Sequence, residues 1–340
     1  MDSKHIKEPV AIDQVKHLIT SCGGDPDSIS GGLVTEMIQT SLKLLFEGHD
    51  LGQVKLINRC LKEMRYAYRI FNEYPHAKRI SVFGSSRTPE THPDYQQAKE
   101  LAATLVARKW MCITGAAEGI MKAGHEGSQA EGAFGLSIYL PQELTTNQVI
   151  RGDPKLINFR YFFTRKLMFL SHSDAVAVFP GGFGTHDELH ECLTLMQTGK
   201  SNIIPVVLVE GLGGTYWPEW QEYVDEHLLA RNMISPEDRN LYYIAPNAQA
   251  AADHVENFYT NFHSYRYVRN ALVIRIHKAI SESKLKQLND EFAVLVASGK
   301  IEQTGALPEE TDHLDLPRIV LEHTRRKYGL VRKLIDRLNQ

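Results

Sequence analysis

DAVAVFPGGFGTHDELHECLTLMQTG, residues Asp174 to Gly199, is the stretch on which the reading of the fold turns. Ala175-Val-Ala-Val-Phe179 is a short apolar, β-branched run, the pattern of a strand buried on both faces. Pro180-Gly181-Gly182-Phe183-Gly184 reads as a turn whose three glycines take φ > 0 and let the backbone come close to something bulky. Thr185 then opens a helix, and Glu188 three residues on completes a Thr-x-x-Glu capping box. Leu189, Cys192, Leu193 and Met196 recur at helical spacing, and Gly199 is placed to stop the helix as its C′ residue. A strand, a glycine turn and a helix N-terminus make an anion site, because the first amides are unpaired and the macrodipole favours negative charge there.

Outward from that stretch the same unit repeats. Arg79–Phe83 is strand-like and ends in Gly84-Ser85-Ser86-Arg87, with a helix following over Tyr95–Arg108. Trp110–Thr114 is the next strand, ending in Gly115-Ala116-Ala117-Glu118-Gly119 before a helix from Ile120. Phe134–Leu140, stopped by Pro141, is a third strand, and Ile203–Val209 lies beyond the central one. A helix over Trp217–Leu229 and a short strand over Tyr242–Ala245 follow. Strands alternating with helices predict an α/β fold, a doubly wound, Rossmann-like parallel sheet with ligands outside the carboxyl ends of its strands. Three strands end in Gly- or Ser-rich loops, at Gly84, Gly115 and Gly181, and the site is expected there.

The flanks differ in character. Residues 1 to about 30 are polar and read as a loosely ordered lead-in; Leu33–Phe46 and Val54–Phe71 read as two amphipathic helices. After Tyr259 come a strand-like run at Ala271–Ile276, a helix over Ser283–Ser298, an acidic Pro-bearing loop (Leu307–Pro317) and a basic amphipathic helix to Gln340. Three domains follow: an N-terminal helical extension (1–75), a Rossmann-like nucleotide-binding catalytic domain (76–259) and a small C-terminal α/β unit (260–340). Arg325, Arg326, Lys327, Arg332 and Lys333 read as a solvated basic face on the last helix, or more sharply as an effector site.

At 340 residues with 43% hydrophobic and 23% charged residues the composition is that of an ordinary soluble protein. A formal charge of −3 provides no general attraction to nucleic acid or anionic membranes. Cys22, Cys60, Cys112 and Cys192 have no CxxC spacing and read as reduced structural residues. The first residues lack the apolar core of a signal peptide, and no segment is long and apolar enough to span a bilayer, so the expected compartment is the cytoplasm.

Upstream of the central stretch, Asn158–Met168 reads NFRYFFTRKLM. Phe163, Leu167 and Leu170 form a core stripe, which sends Arg165 and Lys166 elsewhere. Two adjacent cations before a buried strand need solvent or an anion, and with the glycine turn they point to a phosphorylated substrate and a carboxylate partner.

FFTRKLM followed by FPGGFGTHDE resembles the paired motifs of the LOG ("lonely guy") family, Arg-Lys and then Pro-Gly-Gly-x-Gly-Thr-x-x-Glu, whose members are often mislabelled lysine decarboxylases. The second motif runs from Pro180 to Glu188 without a mismatch, and the resemblance covers roughly Lys78 to Tyr259. Gly115-Ala116-Ala117 stands where many members have three glycines. The resemblance implies hydrolysis of the N-glycosidic bond of nucleoside 5′-monophosphates, AMP-like and extending to cytokinin riboside 5′-monophosphates, to free base and ribose 5-phosphate. It implies Arg165 and Glu188 as the catalytic pair, with Glu191 one turn further on. Gly84, Ser85, Ser86, Arg87, Gly115, Lys166, Pro180, Gly181, Gly182, Phe183, Gly184 and Thr185 would bind the substrate. It also implies a homodimer or higher homo-oligomer. Chemically, departure of a base builds positive charge on the ribose, which a carboxylate stabilises while another proton acceptor role, activation of water, falls to the same group.

No metal and no cofactor is expected. His186 and His190 have the i, i+4 spacing of zinc ligands, but the Glu of HDELH stands at the wrong place and no third ligand follows. Pyridoxal phosphate chemistry requires a Schiff-base lysine beside phosphate and pyridinium partners, and nothing around Lys166 supplies them. The competing reading is a non-catalytic nucleotide or molybdenum-cofactor carrier of the same fold.

Overall fold

The computed structural model describes residues 8–75, 77–139 and 146–340, and the chain divides into two compact units, residues 1–66 and 67–340. The first unit is helical: α1 (Glu8–Ser21), α2 (Ile29–Lys43) and most of α3 (Leu51–Phe71). The expected loose lead-in is corrected over Glu8–Ser21, since α1 carries Val15 and Ile19, four residues apart and both buried, while the first seven residues of the lead-in lie outside the described ones. Ser28 caps α2 by accepting from Gly31 N at 3.0 Å.

The second unit is built on a seven-stranded sheet, all parallel, from β1 (Lys78–Phe83), β2 (Trp110–Thr114), β3 (Ala133–Ile138), β4 (Leu156–Phe159), β5 (Ala175–Val178), β6 (Val206–Leu208) and β7 (Tyr243–Ile244). Its order is β4-β3-β2-β1-β5-β6-β7. The chain therefore winds outward from β1 to β4 and returns to β5 on the other side of β1. That reversal is the switch point at which loops diverge and leave a crevice.

Strand β4 was not expected, because its four residues bury only Ile157 and Phe159, too short a signal to separate from the motif downstream. β6 is shorter than the apolar run around it, since Pro205 has no N–H for the ladder. Leu140 and Pro141, the expected end of β3, lie outside the described residues. Helices α4 (Pro93–Ala107), α5 (Ile120–Ser128), α6 (Phe162–Ser171), α7 (Phe183–Gln197), α8 (Tyr216–Tyr223) and α9 (Ala248–Asn257) connect the strands. On one face of the sheet Ile80, Val82, Cys112, Ala175, Ala177 and Val207 pack on Tyr95, Leu101, Leu105, Ala251 and Val255.

The C-terminal part combines strands and helices, as expected, on an antiparallel sheet of its own. Beyond α9 lie β8 (Phe262–Val268), β9 (Ala271–Ile276), β10 (Val296–Thr304) and β11 (Arg318–His323), an antiparallel sheet in the order β10-β11-β9-β8, with α10 (Glu282–Phe292) and α11 (Tyr328–Asn339). The expected helix ends at Phe292, and Val296–Ser298 belong to a strand. The "acidic loop" is an internal ion network: Glu310 Oε1 meets Arg275 Nη2 at 2.7 Å, and its Oε2 meets Arg318 Nε at 3.0 Å. The basic helical face is corrected too. Arg332 is buried, donating to Asp336 at 3.0 Å and lying 2.9 Å from His254 Nε2, whereas Arg325, Arg326 and Lys327 precede α11.

Candidate functional site

Three loops at the carboxyl ends of β1, β2 and β5 are in backbone contact. Ser85 N donates to Pro180 O at 3.0 Å, and Ile120 N donates to Ser85 O at 3.0 Å. Gly119 has φ +63°, and a Cβ there would overlap Ser85 O. A Cβ on Gly181 would overlap Thr185 and stand 3.0 Å from Ser85 N. Gly84, Ser85, Gly115, Pro180 and Gly181 thus gather at the switch point, with Ser86 and Arg87 on its exposed side.

The glycine turn works differently from expectation. None of Gly181, Gly182 and Gly184 has positive φ; Gly182 sits at φ −87°. Gly181 is required for close approach, while Cβ atoms on Gly182 and Gly184 would meet nothing. Helix α7 starts at Phe183, two residues before Thr185, with Gly182 as its N-cap and no side-chain cap. The capping box therefore does not form, and Thr185 packs on Gly181 instead. Its first turn is left bare, with Phe183 97% exposed, which suits an anion. Gly199, at φ +67° just past the C-cap Thr198, does terminate α7.

Freed from capping, Glu188 is buried, 6% exposed, and its Oε2 has no hydrogen-bond partner. Burial pushes its carboxyl up to about 7, against the opposing pull of Lys166 and Arg165. Arg165 on α6 is half-buried, its Nε shielded from solvent and unpartnered and its guanidinium 5.0 Å from the Phe162 ring centroid. Burial lowers its pKa while the nearby Glu188 charge raises it. Arg165 Nη1 stands 3.7 Å from where a Cβ on Gly115 would be. A buried carboxyl and a half-buried guanidinium, each with an orphaned polar atom and both beside a bare helix start, are what a site awaiting a polar ligand looks like.

The stripe proposed for α6 is inverted. Phe163 and Leu167 are exposed, and Thr164, Met168 and Phe169 are the buried positions. The helix turns Phe162, Phe163 and Leu167 outward, buries Met168 and Phe169, and carries Arg165 toward the loops. Lys166 is directed away from Arg165: its Nζ bridges Asp187 Oδ2 and Glu191 Oε2, each at 2.6 Å. Lys166, Asp187 and Glu191 line a separate cleft of about 1350 Å³ between α6, α7 and β8, which neither Arg165 nor Glu188 lines. The expected site residues therefore fall into two groups, with Lys166, expected to bind substrate, and Glu191, expected beside the catalytic pair, joined to each other at the second.

His186 Nε2 lies 2.7 Å from Tyr216 Oη, and that hydroxyl donates to Gly181 O at 2.5 Å. His190 Nδ1 donates to His186 O at 2.8 Å. Among the described residues no group of three or more His, Cys, Asp or Glu is arranged to hold a metal. Tyr216, Asp187, His125 and Asn147 were not singled out from sequence. Asp187 was legible as an acid i−4 from Glu191, whereas the other three come from distant positions and carry no motif.

A family profile described as "Possible lysine decarboxylase" matches residues 114–255. The cytokinin riboside 5′-monophosphate phosphoribohydrolase LOG3 of Arabidopsis thaliana is 30% identical over 188 residues, 53% of this chain and 83% of the relative. LOG5 of the same plant is 26% identical over 230 residues, 67% of this chain and 95% of the relative. Among solved structures, the molybdenum cofactor carrier protein of Chlamydomonas reinhardtii is 21% identical with a TM-score of 0.37, covering 53% of this chain and 97% of that one. The molybdenum cofactor binding protein of Rippkaea orientalis is 17% identical, also with a TM-score of 0.37, covering 53% and 96%. Likenesses of that degree carry no functional weight.

Proposed function

The chain belongs to the LOG family, that of the cytokinin riboside 5′-monophosphate phosphoribohydrolases, and on that footing we propose that it hydrolyses nucleoside 5′-monophosphates to free base and ribose 5-phosphate. The observation that carries the reading is Glu188, buried, unpartnered at Oε2 and one turn inside a helix whose N-terminus is uncovered. The 5′-phosphate is met by the amides of the Gly181–Gly184 turn, where the macrodipole favours it. That anchoring brings C1′ toward Glu188. As the C1′–N bond breaks, its electron pair leaves with the base and the ribose becomes oxocarbenium-like. The Glu188 carboxylate stabilises that charge and takes a proton from the attacking water, whose oxygen bonds to C1′; that proton then passes to the departed base, directly or through solvent, which gives the free base and restores the carboxylate.

A carboxyl titrating near 7 is matched to that duty at neutral pH. Arg165 faces the same space, balances the Glu188 charge and is available to substrate oxygens. Glu191, held by Lys166, is assigned to shaping α7 and not to the chemistry. No metal is given a role in these steps. The exposed Phe162, Phe163 and Leu167 face of α6 supports assembly as a homodimer or higher homo-oligomer. Four free cysteines are in keeping with a reducing, cytoplasmic compartment, and no helix among the described residues is long and apolar enough to cross a membrane.

Incubation of the purified protein with AMP and a panel of other monophosphates, with product identification, tests the reading. Release of base with ribose 5-phosphate is expected. Tight nucleotide binding without turnover, unaltered by Glu188→Gln, would instead make the protein a carrier.

A further inference from the structure

The loop after β2 holds a backbone conformation that its residue does not favour. Ala116 has φ +64° and is fully buried. A Cβ in the left-handed region costs on the order of 1–2 kcal/mol, so something must hold it there.

Three side chains do so. Thr114 Oγ1, at the end of β2, accepts from Ala116 N at 3.0 Å. Asn147 donates from its backbone N to Ala116 O at 2.8 Å and from Nδ2 to Ala116 O and Ala117 O, each at 3.0 Å. His125 of α5 stands behind Asn147. Its Nε2 lies 3.0 Å from Phe134 O and 2.9 Å from Thr114 Oγ1. A carbonyl only accepts, so Nε2 carries the proton and Nδ1 is bare. Nδ1 then accepts from Asn147 Nδ2 at 3.0 Å. Both amide hydrogens of Asn147 are thereby committed, one to the ring and one shared by the two loop carbonyls. His125 and Asn147 are both wholly buried, and burial keeps the imidazole neutral.

The loop so held is pressed against the site. Gly115 precedes Ala116, and a Cβ on it would stand 2.7 Å from Met121 Sδ and 3.7 Å from Arg165 Nη1. At the far end Gly119 packs on Ser85 and Ser86. Relaxation of Ala116 toward negative φ would shift Gly115 along the guanidinium and Gly119 off the first loop.

We propose that Asn147, oriented by His125, is a positioning residue of the substrate site: it holds Ala116 left-handed and so sets the Gly115–Gly119 loop against Arg165. It acts through the loop and touches no substrate. The inference rests on the nucleosidase reading for its activity readout but not for its structural one.

The test compares Asn147→Ala with the double variant Asn147→Ala/Ala116→Gly. Glycine takes φ > 0 without the Cβ penalty, so it removes the need for the clamp. A displacement of about 1 Å at a reacting site lowers rates by roughly 100-fold. Asn147→Ala should accordingly lower kcat/KM for AMP by about 10- to 100-fold, and the added glycine should restore at least tenfold of a 100-fold loss. A loss that Ala116→Gly leaves untouched, or no loss beyond twofold, overturns the proposal. Amide hydrogen exchange is the second readout. Faster exchange in Asn147→Ala confined to residues 115–119 supports the proposal; no change there, or loosening of the whole parallel sheet, overturns it. Should the wild-type protein turn over no monophosphate, the nucleosidase reading fails while the exchange measurement still decides this one. If Asn147→Ala does not fold, Asn147→Asp, which keeps the shape and loses both amide hydrogens, is judged by the same two measurements.

Discussion

Glu188 and Glu310, both in the second unit, are buried near arginines, and their surroundings drive them in opposite directions. Glu310 accepts from Arg275 and Arg318, and from Leu307 N at 3.1 Å; these bonds hold its carboxyl down at about 2 against the upward push of burial. Glu188 has Arg165 as a neighbour but an unpartnered Oε2, and burial lifts it to about 7. Both lie among buried side chains of the same unit, so depth does not separate them. Satisfaction does: a carboxylate whose oxygens are all matched holds a fold together, and one left unmatched is kept for a ligand. The comparison gives the same substitution opposite expected effects at the two positions.

Glu188→Gln should produce the largest change, a loss of kcat/KM on AMP of about 1,000-fold, within the range typical of a removed acid–base group. The wild-type rate should rise with pH through about 7 as Glu188 ionises, and that limb should vanish in the variant. Stability should move the other way. Because the folded-state pKa is raised from 4.5, the folded protein binds more protons than the unfolded chain between 4.5 and about 7. Its contribution is thus fully present below 4.5 and lost as pH rises through about 7. At pH 8 the neutral amide should stabilise the fold by about 1–3 kcal/mol, read by denaturant unfolding. A destabilised Glu188→Gln protein would mean that the carboxylate is satisfied after all.

Glu310→Gln should do the reverse, costing about 3–5 kcal/mol, because Arg275 and Arg318 are left buried without their counter-charge. Here the folded pKa is depressed, so the stabilisation is present above 4.5 and fades as pH falls toward about 2. Below the melting transition, kcat of the folded fraction should be unchanged. A neutral Glu310→Gln in the unfolding assay would remove the structural half of the comparison.

Legibility followed the same division between local pattern and tertiary satisfaction. The inner strands of a parallel sheet are buried on both faces, so Arg79–Phe83, Trp110–Thr114 and Ala175–Phe179 stand out as apolar runs ended by glycine or serine, and they place the site. The antiparallel strands β8 and β10 are half-exposed and mix Ser, Arg, Lys and Glu with their apolar residues, so no clean run marks them. Thr185 and Glu188 have the spacing of a capping box, yet the helix begins at Phe183, because Gly182 is free to serve as N-cap. A motif shared by two physical roles cannot be resolved by spacing alone. Arg165 and Lys166 are adjacent in sequence and both act on the Glu188 charge, and only packing shows that Lys166 is tied to Asp187 and Glu191 while Arg165 stands against the Gly115 loop. Asn147 reaches Ala116 from 31 positions away through a network with no sequence period.

Tyr216 supplies the finest test of the comparison, because it touches the turn proposed to hold the phosphate while being neutral and fully matched. Its hydroxyl donates to Gly181 O, so the proton on its bond to His186 must come from Nε2. Its own backbone is fixed by Glu210, whose Oε2 accepts from Tyr216 N at 2.9 Å. Tyr216→Phe keeps the ring and removes only these hydroxyl bonds, and the groups it leaves are near enough to solvent to rehydrate. The net loss is then about 1 kcal/mol, equivalent to roughly fivefold. It should fall on KM, since Gly181 belongs to the turn assigned to the phosphate, and leave kcat within twofold, since nothing reaches Glu188. Steady-state kinetics on AMP separates the two parameters. A kcat loss approaching that of Glu188→Gln would show that a satisfied group carries the chemistry, and the contrast between the unmatched Glu188 and the matched Glu310 would no longer separate a working residue from a support.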